Sequence, residues 1–202
     1  MKASLCAAAV AGAALLAGCT TPAPPMSWLS LPVLTPPDAA ADAPQAMAAG
    51  ELTWVVQRVR VPEYLQSAQV RYRDAPQRLT DWPEVRWAER LEVNLSRHLT
   101  QSLAAALPAG MVCEAPCRPA GAPGSVWVSY QTLDYLRPQR QVVAVVLWER
   151  VLPGRPPVTQ QWQLTEPVEA DSPDGQAEAM ARINRAVARR MAAVLRGVQP
   201  PN

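Results

Sequence analysis

The strongest constraint on the fold lies between residues 126 and 168, where three consecutive stretches carry strand patterns joined by short turns. A period of two sends alternate side chains to opposite faces of a pleated strand, so such stretches belong in a sheet. Val126, Val128, Tyr130 and Thr132 alternate through residues 126–136. Residues 141–151 hold Val142-Val143-Ala144-Val145-Val146-Leu147-Trp148, apolar on both faces, which predicts a central strand covered on both sides. Val158, Trp162, Leu164 and Val168 mark a third strand after the turn Leu152-Pro153-Gly154-Arg155. With Pro138 in the first connection and that turn in the second, an antiparallel meander is expected.

Earlier strands follow the same logic. Residues 27–34 read as a first strand that Pro32 pushes to a sheet edge, and residues 35–50, rich in Ala, Pro and Asp, as a flexible linker. Residues 52–61 place Val55, Val59 and Val61 on one face and Arg58 and Arg60 on the other, with Pro62 ending the strand. Gln69-Val70-Arg71-Tyr72-Arg73 alternates again, and Arg78-Leu79-Thr80 can pair back on it as a hairpin arm.

Two segments change period. From 82 to 107, apolar residues at 88, 91, 95, 99, 103 and 106 form a stripe that predicts one helix capped by Asp81, roughly 39 Å long at the α-helical rise. Trp82 and Trp87 on that helix are candidates for an interface edge, and Trp87 is equally a candidate core anchor. Residues 173–196 form the second, with Ser172 as cap, Pro173 at the first helical position and Gly197 just beyond the end. Its stripe is Met180, Ile183, Val187, Met191 and Val194, and Glu178 with Arg182 is expected to be an ordinary ion pair on the outer, basic face. The expected class is α+β: a mixed, mostly antiparallel sheet with two long amphipathic helices packed on it.

The N-terminus reads as an export signal. Met1-Lys2 precedes an apolar run from Leu5 to Leu16, too short to span a bilayer, and the run ends in Leu16-Ala17-Gly18-Cys19. That tetrapeptide resembles the bacterial lipobox, in which the cysteine becomes the acylated first residue of the mature chain. Residues 1–18 are then a signal peptide, Cys19 the lipid attachment site, 19–26 a tether and 27–199 a single domain. Thr20 stands where Asp is the usual inner-membrane retention signal of enteric bacteria, so the resemblance implies sorting to the outer membrane, facing the periplasm. In an oxidising compartment, Cys113 and Cys117 are expected to form a disulfide. A metal site is disfavoured because His98, the only histidine, lies in another element.

Charge and motifs narrow the function. Lys and Arg number 19 against 17 Asp and Glu, interspersed, which disfavours nucleic acid as a partner. His98 lies mid-helix with no nucleophile elbow, and the chain carries no Gly-rich phosphate loop or paired-carboxylate motif, so no catalytic residue or cofactor is assigned.

Three further stretches, Val61-Pro62-Glu63-Tyr64-Leu65, Gln69-Val70-Arg71-Tyr72-Arg73 and Arg86-Trp87-Ala88-Glu89-Arg90-Leu91 with Asn94, Leu95 and Arg97, resemble the ABC-type transport auxiliary lipoproteins, the PqiC (YmbA) family. Trp28-Leu29-Ser30-Leu31 resembles that family's first strand. Val61 and Arg90 depart from the usual Leu and Pro. The resemblance singles out Pro62, Tyr64, Leu65, Arg86, Trp87 and Glu89 as structural or interface residues. It implies a non-enzymatic envelope lipoprotein that docks or receives the far end of a phospholipid conduit built by MCE-domain proteins anchored in the inner membrane, as a homo-oligomer supporting membrane integrity. The rival readings are an assembly or pilotin-type lipoprotein for another outer-membrane complex, and lipid carriage in an internal cavity.

Overall fold

The computed structural model describes residues 25–32, 52–119 and 123–197, so Cys19, the signal segment and the 35–50 linker lie outside the described residues. Strands β1 (Ser27–Leu29), β2 (Trp54–Val56), β3 (Gln69–Ala75), β4 (Arg78–Trp87), β5 (Val112–Glu114), β6 (Gly124–Leu136), β7 (Gln141–Val151) and β8 (Val158–Pro167) form one mixed sheet. Two helices, α1 (Leu91–Ala106) and α2 (Pro173–Leu195), complete an α+β fold. The long pairings, β3 with β4, β6 with β7 and β7 with β8, are antiparallel. The parallel pairings, of β1 with β4, β2 with β5 and β6, and β3 with β6, span three residues or fewer.

The sheet forks at β6. One edge of β6 is paired with β7 along its length. Its other edge is shared: β2 takes the start at Gly124 to Val126, the chain from Gln57 to Arg60 bonds onto Val126, Val128 and Tyr130, and β3 meets the far end at Leu136. The 52–61 strand is thus regular only over Trp54–Val56 and continues as a backbone-bonded arm.

Both helices cover one face. α1 buries Leu91, Leu95, Leu99 and Leu103, and α2 buries Met180, Ile183, Val187, Met191 and Leu195, against Val126, Val128, Tyr130, Val142, Val146 and Trp148. The Ser172 hydroxyl accepts from the Gly175 N–H at 3.1 Å, with Pro173 in the first turn, and so satisfies one of the free N–H groups of α2. On β7 the double-sided covering expected from its sequence is half realised. Val142, Ala144, Val146 and Trp148 are buried, whereas Val143, Val145 and Leu147 are only partly covered. No helix lies over them among the described residues, because α1 and α2 share the opposite face.

The first helix is shorter than its stripe predicts. Residues 82–87 belong to β4, Asp81 sits mid-strand opposite Arg71, and α1 begins at Leu91 with Arg90 at the cap position and no side-chain cap. Pairing explains the difference: β4 lies between β3 and β1, and this burial of Trp87 and partial burial of Trp82 and Val85 outweighs a helical continuation in which Ala88 would be the only stripe residue before Leu91. On α2, Arg182 bonds Glu166 of β8 at 3.2 Å rather than Glu178.

At Gly124 a Cβ would lie 2.5 Å from Cζ3 of the fully buried Trp54. Gly124→Ala should therefore cost about 1–3 kcal/mol of stability, read as a lower urea midpoint at unchanged slope.

Candidate functional site

The Pro62 to Leu65 motif folds into a 3-10 turn (Glu63–Leu65), closed by the Leu65 N–H on the Pro62 carbonyl at 2.9 Å. Val61 and Leu65 point into the core, which leaves Tyr64 to lie along the sheet. Its hydroxyl donates to Asp134 Oδ1 of β6 at 2.8 Å, and Arg73 Nε of β3 donates to Asp134 Oδ2 at 2.5 Å. The Arg73 guanidinium lies 5.5 Å from the Tyr64 ring centroid. Burial, reinforced by Asp134, pushes the Tyr64 phenol up to about 12, so it stays a donor. Arg71 completes the clasp, donating Nη1 to the Tyr64 carbonyl at 2.6 Å and Nε to Asp81 at 2.8 Å. Two stretches of the sequence motif thereby meet around one carboxylate that periodicity did not single out, Asp134.

The third stretch is split by the strand-to-helix junction. Arg86 is half-buried in β4, level with Gln69 on one side and Trp28 on the other. Trp87 is a core residue at 2% exposure, and its N–H donates to the Ala68 carbonyl. Glu89 accepts two hydrogen bonds from Arg97, at 2.6 and 2.9 Å, across the first turn of α1. Asn94 donates to the Ser30 hydroxyl at 2.9 Å, tying the helix to the chain just after β1. The motif is therefore mainly a fastening system.

Neither tryptophan expected at an interface edge is exposed. Trp82 packs on Tyr72 at 4.7 Å between ring centroids, lies under the Arg137 guanidinium and donates Nε1 to Gln176 of α2 at 2.8 Å. The exposed tryptophans are Trp28 (65%) and Trp127 (37%). Trp127 could be found in the sequence only as the outward phase of β6.

His98 is buried. Asn184 of α2 donates Nδ2 to its Nδ1 at 3.0 Å, which requires the neutral ring. Burial, then the nearby Arg185 charge, lowers its pKa to about 4. Cys113 and Cys117 are joined by a disulfide at β5. Among the described residues, no cluster of three His, Cys, Asp or Glu side chains is arranged to hold a metal ion.

Beside the clasp, a groove of about 650 Å³ is lined by the arm at 58–62, by β6 and by the start of α1. Arg58, Arg60, Gln66, Glu92, Trp127 and Gln131 line it, so one wall is built by the motif turn and its approach. A second depression of about 360 Å³ shares Arg60, Trp127 and Ser129 and extends to Leu147 and Glu149. Both are open and lined by charged and polar groups as much as apolar ones, which does not suit an acyl chain.

Comparison with known proteins fits this architecture. Residues 33–192 match the ABC-type transport auxiliary lipoprotein components, and the chain belongs to that family. In fold it is similar to an uncharacterised protein of known crystal structure, at 16% identity and TM-score 0.66 over 85% of this chain and 99% of the other. It is also similar to a Xanthomonas campestris protein of family DUF330, at 13% identity and TM-score 0.60 over 81% of this chain and 90% of the other. A PelC dodecamer from Paraburkholderia phytofirmans aligns at 14% identity and TM-score 0.42, over 73% and 93% of the two chains. No curated protein matches the chain.

Two measurements check the site. Asp134→Ala leaves the Tyr64 hydroxyl and the Arg73 guanidinium without their shared acceptor and should cost about 2–3 kcal/mol, while Tyr64→Phe, which removes one bond, should cost about 1 kcal/mol. For His98, the folded-state pKa lies below the unfolded value, so the unfolded chain takes up the proton first. This contribution to stability is complete above about pH 6.5 and falls as pH drops toward 4, by roughly 3 kcal/mol at most. Urea titrations of the wild type and His98→Gln should diverge in pH dependence in that window.

Proposed function

We propose that the protein is an outer-membrane lipoprotein subunit of an MCE-type intermembrane phospholipid transport system. In this reading, residues 1–18 are removed, Cys19 carries the acyl chains and residues 19–26 tether the domain of residues 27–199 to the periplasmic side of the outer membrane. The domain docks or receives the distal end of the conduit made by inner-membrane-anchored MCE-domain proteins, as a homo-oligomer, and so supports membrane integrity. The observation that carries the reading is family membership as a transport auxiliary lipoprotein, together with the lipobox-like Leu16-Ala17-Gly18-Cys19 ahead of the domain.

Other features agree. No described helix is long and apolar enough to cross a membrane, and several acyl chains on one cysteine hold a domain at a bilayer where a single chain would not. Anchoring also raises the effective concentration of a docking partner at that surface. The buried, neutral His98 acts in this reading as a packing residue, and the protein is not an enzyme.

The test is a crosslinked detergent pull-down of the full lipoprotein from its own envelope. Recovery of an MCE-domain protein is expected; recovery of a secretin or barrel-assembly component without it would favour an assembly lipoprotein instead. Cys19→Ala should release the protein from the outer-membrane fraction, and its retention there would remove the anchor from this account.

A further inference from the structure

The groove beside the motif turn has features that the fold does not require. Arg58 and Arg60 are both exposed, and neither has a carboxylate within salt-bridge distance among the described residues. The Arg60 guanidinium lies over the Trp127 ring, 5.2 Å from its centroid. On the opposite wall Glu92 is 8% exposed; Arg90 bonds its Oε1 at 3.1 Å, and its buried Oε2 has no hydrogen-bond partner. Glu92 is thus turned inward and paired with Arg90, so it does not neutralise Arg58 or Arg60.

The spacing identifies the shape of what fits. Arg60 forms a parallel bridge to Ser129, so the arm runs in strand direction beside β6. Residues 58 and 60 then face the same side, roughly 7 Å apart along the strand. An extended chain laid along the groove presents its own residues i and i+2 on one face with the same repeat. We propose that this groove docks an extended acidic peptide segment of a partner protein, with carboxylates at i and i+2 on Arg58 and Arg60 and an apolar side chain on Trp127. Arginine pairs with carboxylates in a directional, charge-assisted geometry, which makes the spacing selective. The inference rests on the docking role proposed above and adds the surface that performs it.

The experiment uses the full lipoprotein in detergent and two dye-labelled octapeptides of identical composition. In one, Glu and Val alternate; in the other they are paired as Glu-Glu-Val-Val, so that neighbouring carboxylates face opposite sides of an extended chain. Fluorescence anisotropy should show the alternating peptide binding at least tenfold more tightly. The double variant Arg58→Glu/Arg60→Glu should lose at least tenfold in affinity with an unchanged melting temperature, as expected for exposed side chains, and Trp127→Ala should weaken binding about fivefold. Equal affinity for the two peptides, no binding of either, or unchanged binding by the double variant would overturn the proposal. So would binding of phosphatidylglycerol vesicles through the same arginines with no peptide binding, which would make the groove a membrane contact. Failure here alongside recovery of an MCE-domain protein in the pull-down removes the groove and leaves the docking role standing.

Discussion

A single fully buried amide holds the layers of this protein in register. The Asn184 Oδ1 accepts the Tyr130 hydroxyl of β6 at 2.8 Å, while its Nδ2 reaches both the Leu95 carbonyl of α1 at 3.1 Å and His98 Nδ1 at 3.0 Å. One side chain on α2 thus bonds the sheet and the other helix at once. In a core that is otherwise largely apolar, contact is nondirectional and would tolerate sliding of one helix over the other. An amide that must satisfy its donors and acceptor inside that core tolerates very little, because each bond lost leaves a polar atom dry. Burial keeps Tyr130 protonated and His98 neutral, so the node remains donor-to-acceptor matched at ordinary pH.

With the helices fixed on one face, the fork at β6 decides the rest. A strand of 13 residues offers an edge too long for either short neighbour, so β2 and its arm take one end and β3 the other. The turn at Pro62 to Leu65 bridges the gap between them, and its Tyr64 is fastened there by Asp134 and Arg73. A second fastening lies on the helix side, where Gln176 at the start of α2 accepts from Trp82 and donates to the Arg71 carbonyl. These contacts together hold the fork closed, and the groove along Arg58 and Arg60 lies beside it.

Residue placement separates fastening from contact. Trp87 and Leu65 are spent on the core, Glu89 and Arg97 on each other, and Tyr64 on Asp134, which leaves little of the motif free to touch a partner. The groups that remain free are on the neighbouring arm and on the outward phase of β6 and β7, where Trp127, Val143, Val145 and Leu147 stand among Ser, Thr and Gln side chains.

Local pattern alone determined the meander and the last helix. Residues 141–151 match β7, and Ser172-Pro173 with Gly197 bracket α2, because a period of two and a capping sequence act over a few residues. The resemblance in residues 61–97 identified the family, and the Leu stripe located α1 from Leu91 onward. Tertiary structure decided what distant residues settle between them. Trp82 to Trp87 became strand because β3 and β1 were there to pair with it, and Arg182 found its carboxylate in Glu166 of β8 rather than in its own helix. Asp134 acquired Tyr64 and Arg73, from 70 and 61 positions away, and Asn184 acquired Tyr130 and Leu95. Hydrogen bonds of that reach leave no periodic mark in a chain, since what selects the polar residue is the burial of its partner.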